Sequence, residues 1–250
     1  MKNLITALSI LAVCTIGVGN ANALSFLQDW QLDADGVGGA SPAVIGELFN
    51  TTGTTTAINT YSDATHFTFT ETAIFTSPNY LSPTPVTQTD WLFDGVLSAD
   101  FVGSGSGTTS GDLIFDTGTL NMFFTPTAGS AEALGTFNLI DGYATLDGNA
   151  VPNGAITTIF EATSLTSDIW FDSAATDLST IIPTQLVLGF ATTNASLIGS
   201  APVVDGIQNL LISNNGQFRV AVVPEPSTFL LLGGGLLGLG FMARRKKNQA

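Results

Sequence analysis

Between residues 24 and 222 this 250-residue chain has no cysteine and no lysine, one histidine (His66) and one basic side chain (Arg219). Each shortage removes a class of function. Without cysteine the domain must be held together by burial and not by disulfides, and thiol redox chemistry is excluded. Without lysine there is no Gly-Lys-Ser/Thr loop to cradle phosphate, and a lone arginine cannot supply the clustered phosphate contacts that nucleic acid requires. With a single imidazole, a two-histidine metal site cannot form, and a Ser-His-Asp triad would hang on His66. No Gly-x-Ser-x-Gly nucleophile motif accompanies it. The run Gly103-Ser104-Gly105-Ser106-Gly107 fails because Gly105 stands where serine is needed. His66 therefore reads as a solvated strand histidine.

Acidic residues are what the body has in excess. The chain carries 20 Asp and Glu against 6 Lys and Arg. Five of the basic residues are Lys2, Arg244, Arg245, Lys246 and Lys247, and one acidic residue, Glu225, lies beyond residue 222, which leaves nineteen negative charges against Arg219, a net of −18. Such a surface favours solubility and self-repulsion. It also leaves cation binding as an alternative.

Both ends carry long uncharged runs. At the front, Met1-Lys2-Asn3 is a short basic start, residues 4–18 are apolar, and Ala21-Asn22-Ala23 is a small-x-small cleavage site. This is the pattern of a signal peptide for the Sec translocon, cut by signal peptidase at Ala21 and Ala23, so that the mature chain begins at Leu24. Cys14 follows Leu11-Ala12-Val13, and the branched residue before it disfavours a lipoprotein reading. At the back stand Val223-Pro224-Glu225-Pro226-Ser227, the apolar stretch 228–243, and Arg244-Arg245-Lys246-Lys247. Two prolines fix an extended, donor-poor segment open to a processing enzyme. The uncharged residues 227–243 would make a helix of roughly 25 Å, just enough to span a thin bilayer. The basic cluster behind it is the cytoplasmic stop-transfer signal of the positive-inside rule, which puts the body outside the cytoplasm.

This order of elements resembles the PEP-CTERM sorting signal of Gram-negative bacteria, with the likeness confined to residues 223–247. The resemblance implies recognition by exosortase, an integral-membrane transpeptidase-like enzyme of exopolysaccharide-producing species, with processing near Pro224 to Pro226. It implies a precursor anchored transiently in the inner membrane and a mature form at the cell surface or in the extracellular matrix. The alternative is an ordinary C-terminal anchor with an accidental Pro-Glu-Pro. The body, through Phe26, Trp30, the segment Phe67 to Phe75 and Asn121-Met122-Phe123-Phe124, is diffusely similar to flocculation-associated PEP-CTERM proteins, whose role is cell aggregation within exopolysaccharide.

The domains expected are thus a signal peptide (1–23), a β-rich secreted domain (24–222) and the sorting signal (223–247). In residues 66–76 the odd positions hold Phe67, Phe69, Ala73 and Phe75 and the even ones are mostly threonine. A period of two marks a strand with one buried face, and Glu71 is its single break. Residues 111–126 read as a hairpin around Asp116-Thr117-Gly118, and residues 137–146 as a second hairpin around Asp141-Gly142. Further strands are expected at 155–163, 168–171, 185–191, 207–212 and 217–222. Residues 51–56 and 103–111 read as polar or Gly/Ser-rich loops, and 43–49 and 194–198 as one or two helical turns at most. The fold class is all-β, a single antiparallel sandwich or barrel, flanked by the signal peptide and a C-terminal transmembrane helix.

Little in the body suggests catalysis. Asp168 with Asp172, or Asp90 with Asp94, flank aromatic residues and could line a sugar cleft as a hydrolase requires, though such pairs arise by chance among nineteen acids. Asp33 and Asp35 beside Gly36, and Asp147 beside Gly148, offer oxygen ligands for calcium without completing an EF-hand series, and Asp-Gly turns explain them as well. Trp30, Trp91, Trp170, Tyr61, Tyr80 and Tyr143 are candidate sugar platforms or core. The reading that results is a non-enzymatic, exported surface or matrix protein without a resident cofactor, its partners being the export machinery, exosortase and exopolysaccharide. A carbohydrate- or calcium-binding module is the alternative, and a secreted hydrolase the remote one.

Overall fold

Phenylalanine alternating with threonine builds a wall with an apolar inside and a hydroxylated outside. A computed structural model describes residues 25–35, 42–83, 86–91, 94–146, 153–181 and 186–222, which form a single unit, Phe26–Val222. In chain order the strands are β1 (Ser25–Phe26), β2 (Trp30–Leu32), β3 (Ala43–Ile45), β4 (Leu48–Tyr61), β5 (His66–Leu81), β6 (Gln88–Asp90), β7 (Gly95–Thr108), β8 (Asp112–Pro126), β9 (Glu132–Leu146), β10 (Asn153–Leu165), β11 (Trp170–Phe171), β12 (Leu186–Ser200) and β13 (Ile207–Val222). One 3-10 turn, Leu178–Ile181, interrupts them.

Eight of these strands, in the order β4-β5-β7-β8-β9-β10-β12-β13, pair antiparallel with their neighbours. β13 then returns to pair with β4, from Ile207 opposite Thr60 to Arg219 opposite Leu48. The sheet closes on itself as an up-and-down barrel. Closure removes the exposed edges that would otherwise template aggregation, which matters for a chain without disulfides. Of the two architectures expected, the barrel is the one formed.

Eight strands enclose a space that side chains can fill. Phe67, Phe69, Ala73 and Phe75 of β5 point inward and are buried, while Thr68, Thr70, Thr72 and Thr76 are exposed. Glycines on the same strand or a neighbouring one make room for the inward rings. Phe69 lies over Gly105, Phe101 over Gly103 and Gly118, and Phe115 against Gly142.

That pairing of large with absent side chains corrects several expectations. The stretches 51–56 and 103–108 are not loops: they belong to β4 and β7, and only 109–111 form the turn that follows; Thr51 and Thr55 are each only 2% exposed. The hairpin around Asp116 to Gly118 is instead the single strand β8, with Asp116 the extra residue between the pairs Phe115–Gly105 and Thr117–Ser104. Likewise Asp141-Gly142 lies inside β9, where Ile140 is the extra residue between Asp141 opposite Ile159 and Leu139 opposite Phe160. Both are bulges, which bend long strands around a barrel. Gly142 is small for reasons of space, since a Cβ there would stand 3.0 Å from both Phe115 and Thr158. The segments 207–212 and 217–222 merge into β13, and 43–49 and 194–198 are extended, within β3, β4 and β12.

A second, three-stranded sheet, β11-β2-β3, covers the barrel end from which β4 rises. Its Trp30 and Trp170 are fully buried and stack at 5.7 Å, with Phe49 of β4 and Phe137 of β9 edge-on to them. The Trp170 indole donates to the Leu134 carbonyl at 2.9 Å. Backbone bonds from Leu27 to Val220 and from Gly46 to Leu81 tie this cap to β13 and β5.

Candidate functional site

Midway along the barrel lies a small, mostly apolar chamber into which four polar side chains turn. Thr55 of β4, Glu71 of β5, Thr158 of β10 and Asn214 of β13 turn into it, together with one phenylalanine from each of six strands. Thr55, Thr158 and Asn214 are at most 4% exposed. The chamber measures about 20 Å³, space for about one water molecule and for no organic ligand. The Asn214 amide donates from Nδ2 to Thr55 Oγ1 at 2.7 Å. Its Oδ1 has no hydrogen-bond donor among the described residues.

Glu71 occupies the break that its place in the Phe/Thr alternation predicts. Glu71 is half-buried and lines this chamber, and no hydrogen bond or ion pair from a described residue reaches its carboxyl. Burial pushes its pKa up to about 7, because an apolar, uncompensated site disfavours the charged form.

The other chemistry-bearing residues are occupied in local structure. His66 is exposed at the β4–β5 hairpin, with Nδ1 at 3.0 Å from Asp63. The Thr65 and His66 backbone N–H groups and the Thr65 hydroxyl hold Asp63 well below the usual carboxylate range. Asp172 accepts from the N–H groups of Ala174 and Thr176 at 2.8 Å each, and Asp94 accepts from the Thr127 hydroxyl at 2.5 Å. Asp63 and Asp172 close turns, and Asp94 bridges the start of β7 to the end of β8. Asp33 and Asp35 stand at the turn after β2, and the described residues contain no cluster of three or more His, Cys, Asp or Glu placed to hold a metal ion. Of the six aromatic candidates, Trp30, Trp170 and Tyr80 are buried, Trp91 and Tyr61 are half-buried with their polar atoms bonded to Ser77 and Gln208, and Tyr143 is exposed.

The outer wall is the other candidate surface. Thr52, Thr54, Thr56 and Thr60 of β4 lie beside Thr68, Thr70, Thr72 and Thr76 of β5 on the exposed face. Hydrogen bonds run around the wall from strand to strand: Thr52 to Thr76 at 3.3 Å, Ser104 to Thr117 at 2.8 Å, Asn121 to Asp100 at 2.9 Å and Thr136 to Asn121 at 3.0 Å. Pattern reading assigned threonine to the solvent face but had no means of seeing five strands, β4, β5, β7, β8 and β9, aligned into one polar surface.

The predicted targeting residues, Ala21, Ala23, Val223, Pro224, Glu225, Pro226, Ser227, Arg244, Arg245, Lys246 and Lys247, lie outside the described residues, as does Asp147. Among the described residues no helix is long and apolar enough to cross a membrane. The apolar stretch 228–243 lies beyond them. No curated protein matches the chain. Among solved structures, the T2SS secretin XcpQ from Pseudomonas aeruginosa, determined by cryo-EM, aligns at 13% identity over 77% of this chain and 63% of that one, with a TM-score of 0.12; at that score the likeness carries no argument. Residues 222–246 match the model of the PEP-CTERM protein-sorting motif.

Proposed function

We propose that this chain, exported and processed through the PEP-CTERM sorting motif it carries, is a non-enzymatic surface or matrix protein that associates with exopolysaccharide and supports cell aggregation in a Gram-negative bacterium. The motif at residues 222–246 implies exosortase as processing partner and a membrane-anchored precursor delivered to the cell surface. The role of the body rests on its outer wall. Threonine, serine and asparagine face outward on adjacent strands and already exchange hydrogen bonds with one another, so the wall offers both donors and acceptors to the hydroxyl groups of a glycan. Two further features favour a binding role over a catalytic one: the interior chamber of about 20 Å³ is too small for a substrate, and Asp94 and Asp172 are engaged structurally, the first across the ends of β7 and β8 and the second in a turn.

The test is a chromosomal deletion complemented with the full-length gene or with a gene ending at residue 222. Full-length protein should restore flocculation and co-sediment with purified exopolysaccharide. The shortened form should be exported yet fail to be sorted. Normal flocculation in the deletion strain would remove the aggregation role. Intact-mass measurement of the mature protein, with and without exosortase, tests the processing step separately: a surface form that keeps Arg244 to Lys247 would make the tail a plain anchor.

A further inference from the structure

We propose that the chamber between β4, β5, β10 and β13 is a proton-binding latch, in which a neutral Glu71 carboxyl and a single water satisfy Asn214 Oδ1 and tie β5, β4 and β13 together until the proton leaves. What decides is which donors are in reach. Asn214 is 3% exposed and gives one N–H of Nδ2 to Thr55; its second N–H and the Thr55 and Thr158 hydroxyls also belong to the chamber, yet no hydrogen bond reaches Asn214 Oδ1 from any described residue. A carboxylate only accepts, whereas a neutral carboxyl brings one O–H. An ionised Glu71 would deepen the shortage of donors; a protonated Glu71 reduces it. A bridging water adds two more donors, and about 20 Å³ admits one such molecule.

Charge balance agrees. Glu71 is the only titratable side chain lining the chamber; what faces it from β4, β7, β8, β10, β12 and β13 is hydroxyl, amide, aliphatic or phenyl. No cation stands ready to replace the proton. The upward displacement of the Glu71 pKa to about 7 by burial is the expected electrostatic signature. Outside the cytoplasm the protein meets a pH that the cell does not buffer, and the latch makes barrel rigidity follow that pH.

Thermal and urea unfolding of the mature protein and of Glu71→Gln, from pH 4 to pH 9 in sodium chloride and in choline chloride at equal ionic strength, tests this. The wild type should lose stability as pH rises from about 4.5 through about 7, by up to roughly 300-fold in its folding equilibrium. Glu71→Gln should be flat over that window, and the salts should not differ. Parallel profiles for wild type and variant would overturn the latch. So would a wild type held by sodium but not by choline at pH 8.5, since the carboxylate would then be balanced by a metal ion. Should the variant not fold, carbon-13 titration of the Glu71 carboxyl in the wild type decides alone: a midpoint near 7 supports the proposal, and one near 4.5 refutes it.

Discussion

Gly105→Ala tests how the barrel is filled. Gly105 lies on β7 with its α-carbon turned inward, between β5 and β8. An alanine Cβ there would stand 2.6 Å from Phe69 Cζ and 2.8 Å from Phe69 Cε1, and closer still to the Ile114 carbonyl oxygen. The phenyl ring can swing aside at the expense of its edge-on contact with Phe115 at 5.2 Å. The carbonyl belongs to the backbone of β8, so relieving that clash means displacing one strand of the wall. Overpacking costs about 1–3 kcal/mol, and a clash with backbone puts this site at the upper end. For a domain of roughly 200 residues, about 3 kcal/mol lowers Tm by about 6–12 °C. Gly189→Ala on β12 is the control. There the nearest atom to a new Cβ is the Arg219 carbonyl oxygen at 3.9 Å, an ordinary contact, and the reduced freedom of the unfolded chain makes the change neutral or stabilising by about 0.4–1 kcal/mol. Far-UV circular dichroism melts of both variants read the difference. Equal Tm values would mean that Phe69 does not occupy the space over Gly105, and the filled interior described above would be wrong.

Trp170→Phe removes the indole donor to Leu134 and shrinks the stack on Trp30; the Leu134 carbonyl keeps its bond from the Thr166 N–H at 3.0 Å, so the lost bond and the new void should cost about 1–3 kcal/mol, read as a lower urea midpoint. Arg219→Gln breaks an ion pair with Glu47 that is 2.6 Å long but more than a third exposed at both ends, so its loss should change stability by less than about 1 kcal/mol. Glu71→Gln should stabilise the protein at pH 8 by up to about 3 kcal/mol and leave it unchanged at pH 4. The sign follows from the folded pKa lying above the ordinary 4.5: the proton's contribution is fully present below 4.5 and is lost as pH rises through about 7. Replacing Pro224 and Pro226 by alanine should leave the precursor uncut, seen as retention of the mass of residues 228–250 on the envelope-bound form.

The sequence carried the class of fold in its period of two, and it carried Glu71 as an irregularity within that period. It did not carry strand length. Asp116-Thr117-Gly118 and Asp141-Gly142 have the composition of hairpin turns, yet β7 pairs with Thr117 and Gly118 and β10 with Asp141 and Gly142, because a closed wall rewards a bulge where an isolated hairpin would turn. The run 103–107 was misleading for a related reason. Glycine in a single strand offers nothing to pack and reads as loop, but Phe67, Phe69 and Phe101 on or beside it need the volume that glycine leaves free. Nor was the chamber visible: Thr55, Glu71, Thr158 and Asn214 are far apart in the chain and meet only once β13 pairs with β4.

The direction in which the wall faces also assigns the membrane to one part of the chain. A barrel that spans a bilayer puts its apolar side chains outward in a continuous band and its polar ones inward. Here the arrangement is the reverse. The phenylalanines are inside, and the exposed positions of β4 and β5 are threonine apart from Ile58, His66, Ile74 and Pro78. Single exposed residues such as Val96, Val102, Ile114 and Ile140 are interspersed with Ser98, Asp100, Asp112 and Asn138 and form no band around the wall. A hydroxyl surface with nineteen acidic charges against one basic in residues 24–222 has no affinity for hydrocarbon and is repelled by anionic headgroups. Retention of the precursor at the membrane therefore falls to the sequence outside residues 24–222, and the segment after Val222 holds four of the six basic residues. A cut near Pro224 to Pro226, the processing that the sorting motif implies, would remove that segment's apolar stretch and its positive charge in one event.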